Sequence, residues 1–440
     1  MTEPRPTQTR HAHGRTRGAV ARTAACLLGL HLAACRATAG VPAVLDPGLP
    51  VQTRCGELVV DLAHRVTLLE DGALGLRYFP DRGVVALERR DGVRLLVTAR
   101  WSTYLVEGSD VQRLERARTV LEPGAAAEFD NGYAGISGVY QHPDGRLFGF
   151  YHAEDHEVLP ETSGWPQSFY ASVGAAVSVD GGESWKKLGP VVTSAKPKTW
   201  AANERHLGRG AGFPSVVVSR DGTHLLLYYS ELSLVENRGV QIFVARADLG
   251  RGAPLPGTFV KYFEASFSEP GLGGRESPVV SGLGLDESGA VMPYVLRSGP
   301  LPDYIMFFHV QSWKEHPDYF EPAQPAGRRS GLYVTTSADG LHWRAPCRLL
   351  ADRAFPELGK SISWETGVVL DPGSETSGWL VYGYSPSWGE GPGKRPHYMV
   401  GRRIRMTRAP GPGDVSDGKR DGGARLGCSG SSGAEAGAAP

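Results

Sequence analysis

The stretch Ser178-Val-Asp-Gly-Gly-Glu-Ser-Trp185 decides how the chain is read. It has the make-up of a tight turn between two strands. Asp180 and Ser178 can accept from turn N–H groups, Gly181 and Gly182 suit positive φ, and Trp185 can fold back onto the sheet. A shorter version, Ser337-Ala-Asp-Gly-Leu-His-Trp343, follows later. Asp180 and Trp185, like Asp339 and Trp343, are therefore expected to build turns and not to do chemistry.

Strand patterns surround both turns. Short apolar or alternating runs such as "VRLLVTARW", "RLFGFYH", "HLLLYYS", "VQIFVARA", "GLYVTTS" and "GWLVYGYS" are bounded by Asp-Gly and similar turn signals. Long amphipathic helical patterns are scarce. The 58 glycines and 32 prolines suit a chain of many turns. Four segments, starting near Ile136, Phe213, Glu276 and Glu365, share an apolar run, a polar turn and a second apolar run. A weaker unit covers about 58–105. Each hairpin followed by a less regular outer pair gives about four strands per unit, which predicts an all-β ring of sheets, a β-propeller of five blades, with six as the alternative. Residues 107–129 and 298–330 are irregular enough to hide strands.

The first turn matches all key positions of the Asp-box, Ser-x-Asp-x-Gly-x-x-Trp, and so resembles sialidases and related propellers (Ser178, Asp180, Gly182 and Trp185; Ser337, Asp339 and Trp343 in the short form). The hairpins resemble five-bladed glycoside hydrolases: arabinanases, xylosidases and fructosidases. That resemblance covers most of 58–408. It implies a carbohydrate substrate, an Asp at the start of the first inner strand as general base, a second Asp that tunes pKa, and a Glu from a later blade as general acid. Carried over, Asp130 is the base, Glu276 the acid, and Asp155 or Glu365 the modulator. The family's Asp-Pro reads Asp130-Asn131 here, a departure at the base. The resemblance implies no cofactor, with a structural calcium ion in the channel as an option, and a monomer. Sialidases carry a Phe/Tyr-Arg-Ile-Pro element that this chain lacks, and Arg205, Arg275 and Arg297 are the arginines that would have to gather around a substrate carboxylate.

Substrate contacts are expected from inner-strand starts: Tyr133, Arg205, His206, Arg275 and Trp364. "YHAEDHE", Tyr151 to Glu157, is the densest polar cluster. On a strand His152, Glu154 and His156 share one face and Asp155 the other. Such a face suits sugar hydroxyls, a metal ion or plain solvation; sugar contact by His152 and Glu154 is the reading carried forward. Trp165, Trp313 and Trp388 lie in loop-like sequence where a sugar ring could stack.

With 47 basic and 47 acidic residues the formal net charge is zero. No basic surplus suggests nucleic-acid binding. The N-terminus has Arg5, Arg10, Arg15, Arg17 and Arg22 ahead of "TAACLLGLHLAAC", the layout of a signal peptide over 1–34. Leu32-Ala33-Ala34-Cys35 resembles a bacterial lipobox, in which the cysteine is acylated, tethering the exported protein to the cell envelope. An ordinary cleaved, secreted form is the alternative. Residues 35–54 then read as a tether, 55–408 as the propeller, and 409–440 as a disordered Gly/Ser/Ala-rich tail. In an oxidising compartment Cys55 and Cys347 could pair. No CxxC pair points to structural zinc. No phosphate-binding glycine loop or nucleophile elbow stands in a fitting context.

Overall fold

The computed structural model describes residues 48–409 apart from 89–90, 157–168, 199–207, 233–239, 281–287, 302–303, 313–330, 352–353, 356–358, 361–362 and 385–396. Among these residues the only helix is two 3-10 turns, Ala73–Gly75 and Leu249–Arg251. Everything else regular among them is antiparallel sheet, save one parallel seam in which Gly208, Arg209 and Gly210 pair with Phe169, Tyr170 and Ala171.

The strands form meanders of four or five, each a blade. The first blade runs Val85–Leu87, Val93–Ala99, Ser102–Asp110 and Arg113–Leu121. The second runs Tyr133–Gln141, Leu147–Asp155, Phe169–Ser178 and Lys186–Val192. The third runs Gly208–Val218, His224–Glu231, Gln241–Asp248 and Phe259–Phe263, with Ser266–Pro270 added outside. The fourth runs Ser288–Arg297, Tyr304–Ser312, Gly331–Ser337 and Cys347–Ala351. In the last blade Ser363–Leu370, Ser377–Tyr384 and Tyr398–Arg408 are completed from the other end of the chain by Leu58–Leu69 and Val51–Cys55. The first strand of each blade touches the first strand of both neighbouring blades, the fifth meeting the first again, so the cycle closes around an axis.

Side-chain alternation explains why the strands read as nearly continuous apolar runs. Successive residues point to opposite faces of a sheet, and both faces of every blade are covered. Thus Leu95 packs between the fifth and first blades and Leu96 between the first and second. The pairs Phe150/Tyr151, Tyr228/Tyr229, Phe307/Phe308 and Val381/Tyr382 split in the same way. Among the described residues each interface between neighbouring blades has its own cluster of buried residues.

Some sequence boundaries shift. Residues 51–54, read as tether, belong to a strand, and 107–129 hides the outer strand Arg113–Leu121. The weak unit at 58–105 divides: its first strand closes the fifth blade and the rest builds the first. The third hairpin slips by one strand, because the inner strand of the fourth blade is Ser288–Arg297 and its partner Tyr304–Ser312 came from the irregular stretch. Cys55 and Cys347 form a disulfide with Cα atoms 5.6 Å apart, joining the outer strands of the fourth and fifth blades.

The two Ser-x-Asp turns sit between third and fourth strands, at the rim. Ser178 Oγ donates to Asp180 Oδ1 at 2.7 Å and accepts from Gly182 N at 2.8 Å. Asp180 Oδ1 also accepts from Ser184 N at 3.0 Å. Trp185 folds over Gly149, where any Cβ would stand 2.7 Å from the indole. The second turn repeats the plan: Gly340 N donates to Ser337 Oγ at 2.9 Å, and Trp343 meets Tyr228 edge to face at 5.8 Å.

Candidate active site at the channel mouth

Inner strands run in one sense around the axis, so their starts share one end. Register shifts interrupt four of them, at Ile136/Gly138, Gly212/Ser215, Val291/Tyr294 and Ser363/Thr366. A bulge re-aims a side chain. Arg82, Ser137, Phe213, Met292 and Thr366, one from each blade, line the narrow cavity on the axis.

At the starts of the first two inner strands a polar cluster forms. Asp81 and Arg82 lead into Val85–Leu87. Tyr133 opens the next inner strand, and His152, Glu154 and His156 follow on its partner. The Tyr133 hydroxyl donates to Asp81 Oδ2 at 2.9 Å. Arg82 Nη2 donates to Glu154 Oε1 at 2.7 Å. Its guanidinium lies between two rings, 4.2 Å from the centroid of Tyr133 and 4.7 Å from that of Phe213. Phe213 N donates to His152 Nδ1 at 3.2 Å, so the ring proton sits on Nε2 and is given to Glu154 Oε1 at 2.9 Å. Gly212 is needed here, because a Cβ would lie 2.2 Å from that Nδ1. His156 Nε2 meets Glu154 Oε2 at 2.8 Å. Trp101, in the adjoining turn of the first blade, is 46% exposed and stands edge-on to Tyr133 and His156 at 6.3 and 6.1 Å.

The charges divide unequally. Burial would raise the Glu154 carboxyl, but hydrogen bonds from His152 and His156, with Arg82 behind them, bring it down to about 2. Burial and the Arg82 charge push His152 down to about 4, so it is neutral. Asp81 goes the other way. Withdrawal from water raises it to about 6, against Arg82 and the Tyr133 hydrogen bond, while the Glu154 charge adds to the rise. Its side chain is nevertheless 37% exposed, so solvent reaches it. Asp81 is a carboxyl at the mouth that changes protonation near neutrality.

The acids expected from the sequence lie elsewhere. Asp130 precedes an inner strand, yet its carboxylate points away from the axis. It takes Lys187 of the outermost strand at 2.7 Å and the Tyr151 hydroxyl at 2.9 Å, with no exposed surface. Glu276 is not at an inner-strand start, because the hairpin slipped. It holds Lys261 at 2.6 Å and the Tyr229 hydroxyl at 2.5 Å, on the outer side of the third blade. The two carboxylates share no partner and are tied to different blades. Asp155 faces away from Glu154, as expected, and is held by Asn131 at 3.0 Å and Lys198 at 2.5 Å. Arg275 is on the surface, paired with Glu269 at 2.7 Å, and Arg297 donates to the Ser219 carbonyl at 2.9 Å. These two arginines do not gather at the mouth. Trp364 and Glu365 fall on the inner strand Ser363–Leu370, their side chains outside what is described. Arg205, His206, Trp165, Trp313, Trp388 and Cys35 lie outside the described residues. Of the expected contacts, Tyr133, His152 and Glu154 do come together. Among the described residues no group of three or more His, Cys, Asp or Glu side chains is placed to hold a metal ion; His152 and His156 bond to the Glu154 carboxylate instead.

Sequence reasoning missed Asp81, Arg82 and Trp101. The signal was Pro80-Asp81-Arg82-Gly83, a turn ahead of a short apolar run.

No protein-family model matches the sequence, and no curated protein matches it. Solved structures do. A thermostable family-43 glycoside hydrolase is 13% identical, covers 77% of this chain and 97% of its own, and superposes with a TM-score of 0.45. An alpha-L-arabinofuranosidase from Lactobacillus brevis is 12% identical over 73% of this chain and 90% of its own, with a TM-score of 0.45. An N-acetylgalactosamine deacetylase from F. plautii is 14% identical over 82% and 93%, with a TM-score of 0.42. Likenesses this distant carry no weight for the reaction. The propeller rests on the sheets themselves.

Proposed function

We propose that the chain is an exported propeller that hydrolyses glycosidic bonds at the channel mouth, with Asp81 as its proton-transferring carboxyl. One observation carries this reading: the Asp81 carboxyl is 37% exposed at the mouth and bonded to the hydroxyl of Tyr133, whose ring meets the exposed Trp101 at 6.3 Å. A catalytic acid or base works best with a pKa near the operating pH, and an indole face suits the C–H face of a sugar. Asp81 also stands at the start of the first inner strand, where the resemblance to five-bladed glycoside hydrolases implies the general base.

A second reading, a glycan-binding propeller without turnover, is favoured by Glu154. Hydrolysis wants two working carboxyls, and among the described residues the other carboxylate of the mouth is already held by three donors. A hydrolysis screen separates the two. The mature chain is incubated with aryl glycosides and with plant, bacterial and host polysaccharides, and released sugar is read. Release that drops by about 100-fold or more in Asp81→Asn, in folded protein, supports the enzyme. Undiminished release in that variant overturns the assignment. Saturable binding without release moves the chain to the second reading.

Export with lipid on Cys35 is part of this proposal. A disulfide between Cys55 and Cys347 fits an oxidising compartment. Palmitate labelling that persists in Cys35→Ala would overturn the anchor. The reading needs no cofactor and a single chain. Turnover should survive chelation by EDTA, and a fall in melting temperature with chelator would instead indicate a structural cation.

A further inference from the structure

We propose that Glu154 is the positioning residue of this site: its carboxylate draws the Arg82 guanidinium out of a direct pair with Asp81 and so leaves Asp81 able to carry a proton. The inference rests on the reading of Asp81 as the working carboxyl. The geometry is unequal in the required sense. Arg82 Nη2 is 2.7 Å from Glu154 Oε1, whereas Nη1 is 3.5 Å from Asp81 Oδ1 and donates instead to the Asp81 backbone carbonyl. The Tyr133 and Phe213 rings flank the guanidinium, which leaves its two nitrogens to be divided between the two acids.

Glu154 is itself fixed from the far side. His152 stacks on Phe213 at 4.5 Å, takes the Phe213 N–H, and passes its own N–H to Oε1. His156 holds Oε2. A chain of contacts therefore runs from the backbone of the third blade through His152, Glu154 and Arg82 to Asp81 in the first. Among the described residues the charged and titratable groups facing Asp81 are Arg82 from its own segment and Tyr133 and Glu154 from the second blade. An arginine shared with a stronger acceptor lowers a neighbouring acid less than one paired to it outright, and the negative charge of Glu154 works in the same direction.

The test reads Asp81 itself. Carbon-13 carboxyl shifts are followed against pH in the whole folded domain, wild type and Glu154→Gln. In the wild type Asp81 should titrate near 6. A value below about 4.5, ordinary for a carboxylate, overturns the proposal without need of any variant. In Glu154→Gln the freed guanidinium pairs with Asp81, and its titration should fall by about 1–3 pH units. A titration that stays put or rises in a folded variant also overturns it. Where a substrate is in hand, the acid limb of the pH–rate profile should move by the same amount. The two ideas fail separately. Full turnover in Asp81→Asn with a responsive titration removes the reaction assignment alone, and a dead Asp81→Asn with an unmoved titration removes the positioning role alone.

Discussion

The second and third blades each bury a carboxylate with a tyrosine hydroxyl and a lysine; the channel mouth brings together a carboxylate, a tyrosine hydroxyl and an arginine. The ingredients match and the outcomes differ. Asp130 with Tyr151 and Lys187, and Glu276 with Tyr229 and Lys261, put the cation directly on the carboxylate, at 2.7 and 2.6 Å. In both, the tyrosine comes from the second strand and the lysine from the fourth, so the acid ties those two strands together. Lys261 completes its set on the carbonyls of Thr193 and Gly274, at 2.7 and 2.9 Å. At the mouth a second acid takes the shorter contact with the cation, and Asp81 keeps a hydroxyl, a guanidinium nitrogen at 3.5 Å and an exposed edge. What separates scaffold from site here is how completely a charge is answered.

The largest break in this comparison should come from Lys261→Met. Lys261 has no exposed surface and Glu276 very little, so removing one partner of the pair should cost about 3–5 kcal/mol in urea unfolding. Lys187→Met should cost less, about 1–3 kcal/mol, because that lysine is 26% exposed. Equal and negligible losses would show that these clusters are not staples. A finer contrast lies in the hydroxyls. Tyr133→Phe removes a bond that lowers Asp81, so its titration, and the acid limb of any pH–rate profile, should move upward. Tyr151→Phe, made at a staple, should leave that limb in place while costing roughly 1 kcal/mol of stability. A shift of the profile in both would erase the distinction.

The smallest effect is in stability against pH. Asp81 rises from 3.8 to about 6 on folding, so the folded chain holds this proton more tightly than the unfolded one. Its contribution is full below about 3.8 and is lost as the pH climbs through 6. Asp81→Asn removes that loss. Its melting temperature should gain on the wild type between about pH 4 and pH 7, and a gap that narrows instead would contradict the raised carboxyl. A carboxyl that weakens the fold is a common trade where it serves a reaction, as proposed for Asp81.

Much of the ring could be read from hairpins, and the reason is physical. The blades are covered on both faces, so their second strands are long, apolar and easy to see: "LFGFYHAED", "HLLLYYSE", "SGWLVYGY". The first blade resisted because its inner strand is three residues, Val85–Leu87, too short for a period. Counting inner strands therefore began one blade late, and the role expected at the first start fell on Asp130 and not on Asp81. Glu276 went astray for a related reason. "SPVV" looks like a strand, but the apolar alternation of Ser288–Arg297, not that run, meets the axis. The face shared by His152, Glu154 and His156 was legible because a strand period of two is strict. Which acid Arg82 would serve was not, since that depends on a contact 72 residues away.

The closing sheet has a temporal consequence. Leu58–Leu69 waits for Tyr398–Arg408, its neighbour across nearly the whole chain. A ribosome delivers the first of these long before the second, and loop closure over such a span is slow. Until the last strand arrives, the fifth blade exposes an unpaired edge and the ring stands open. The first four blades are each built from consecutive strands, so the ring can be nearly complete while its closure still waits on the last strand.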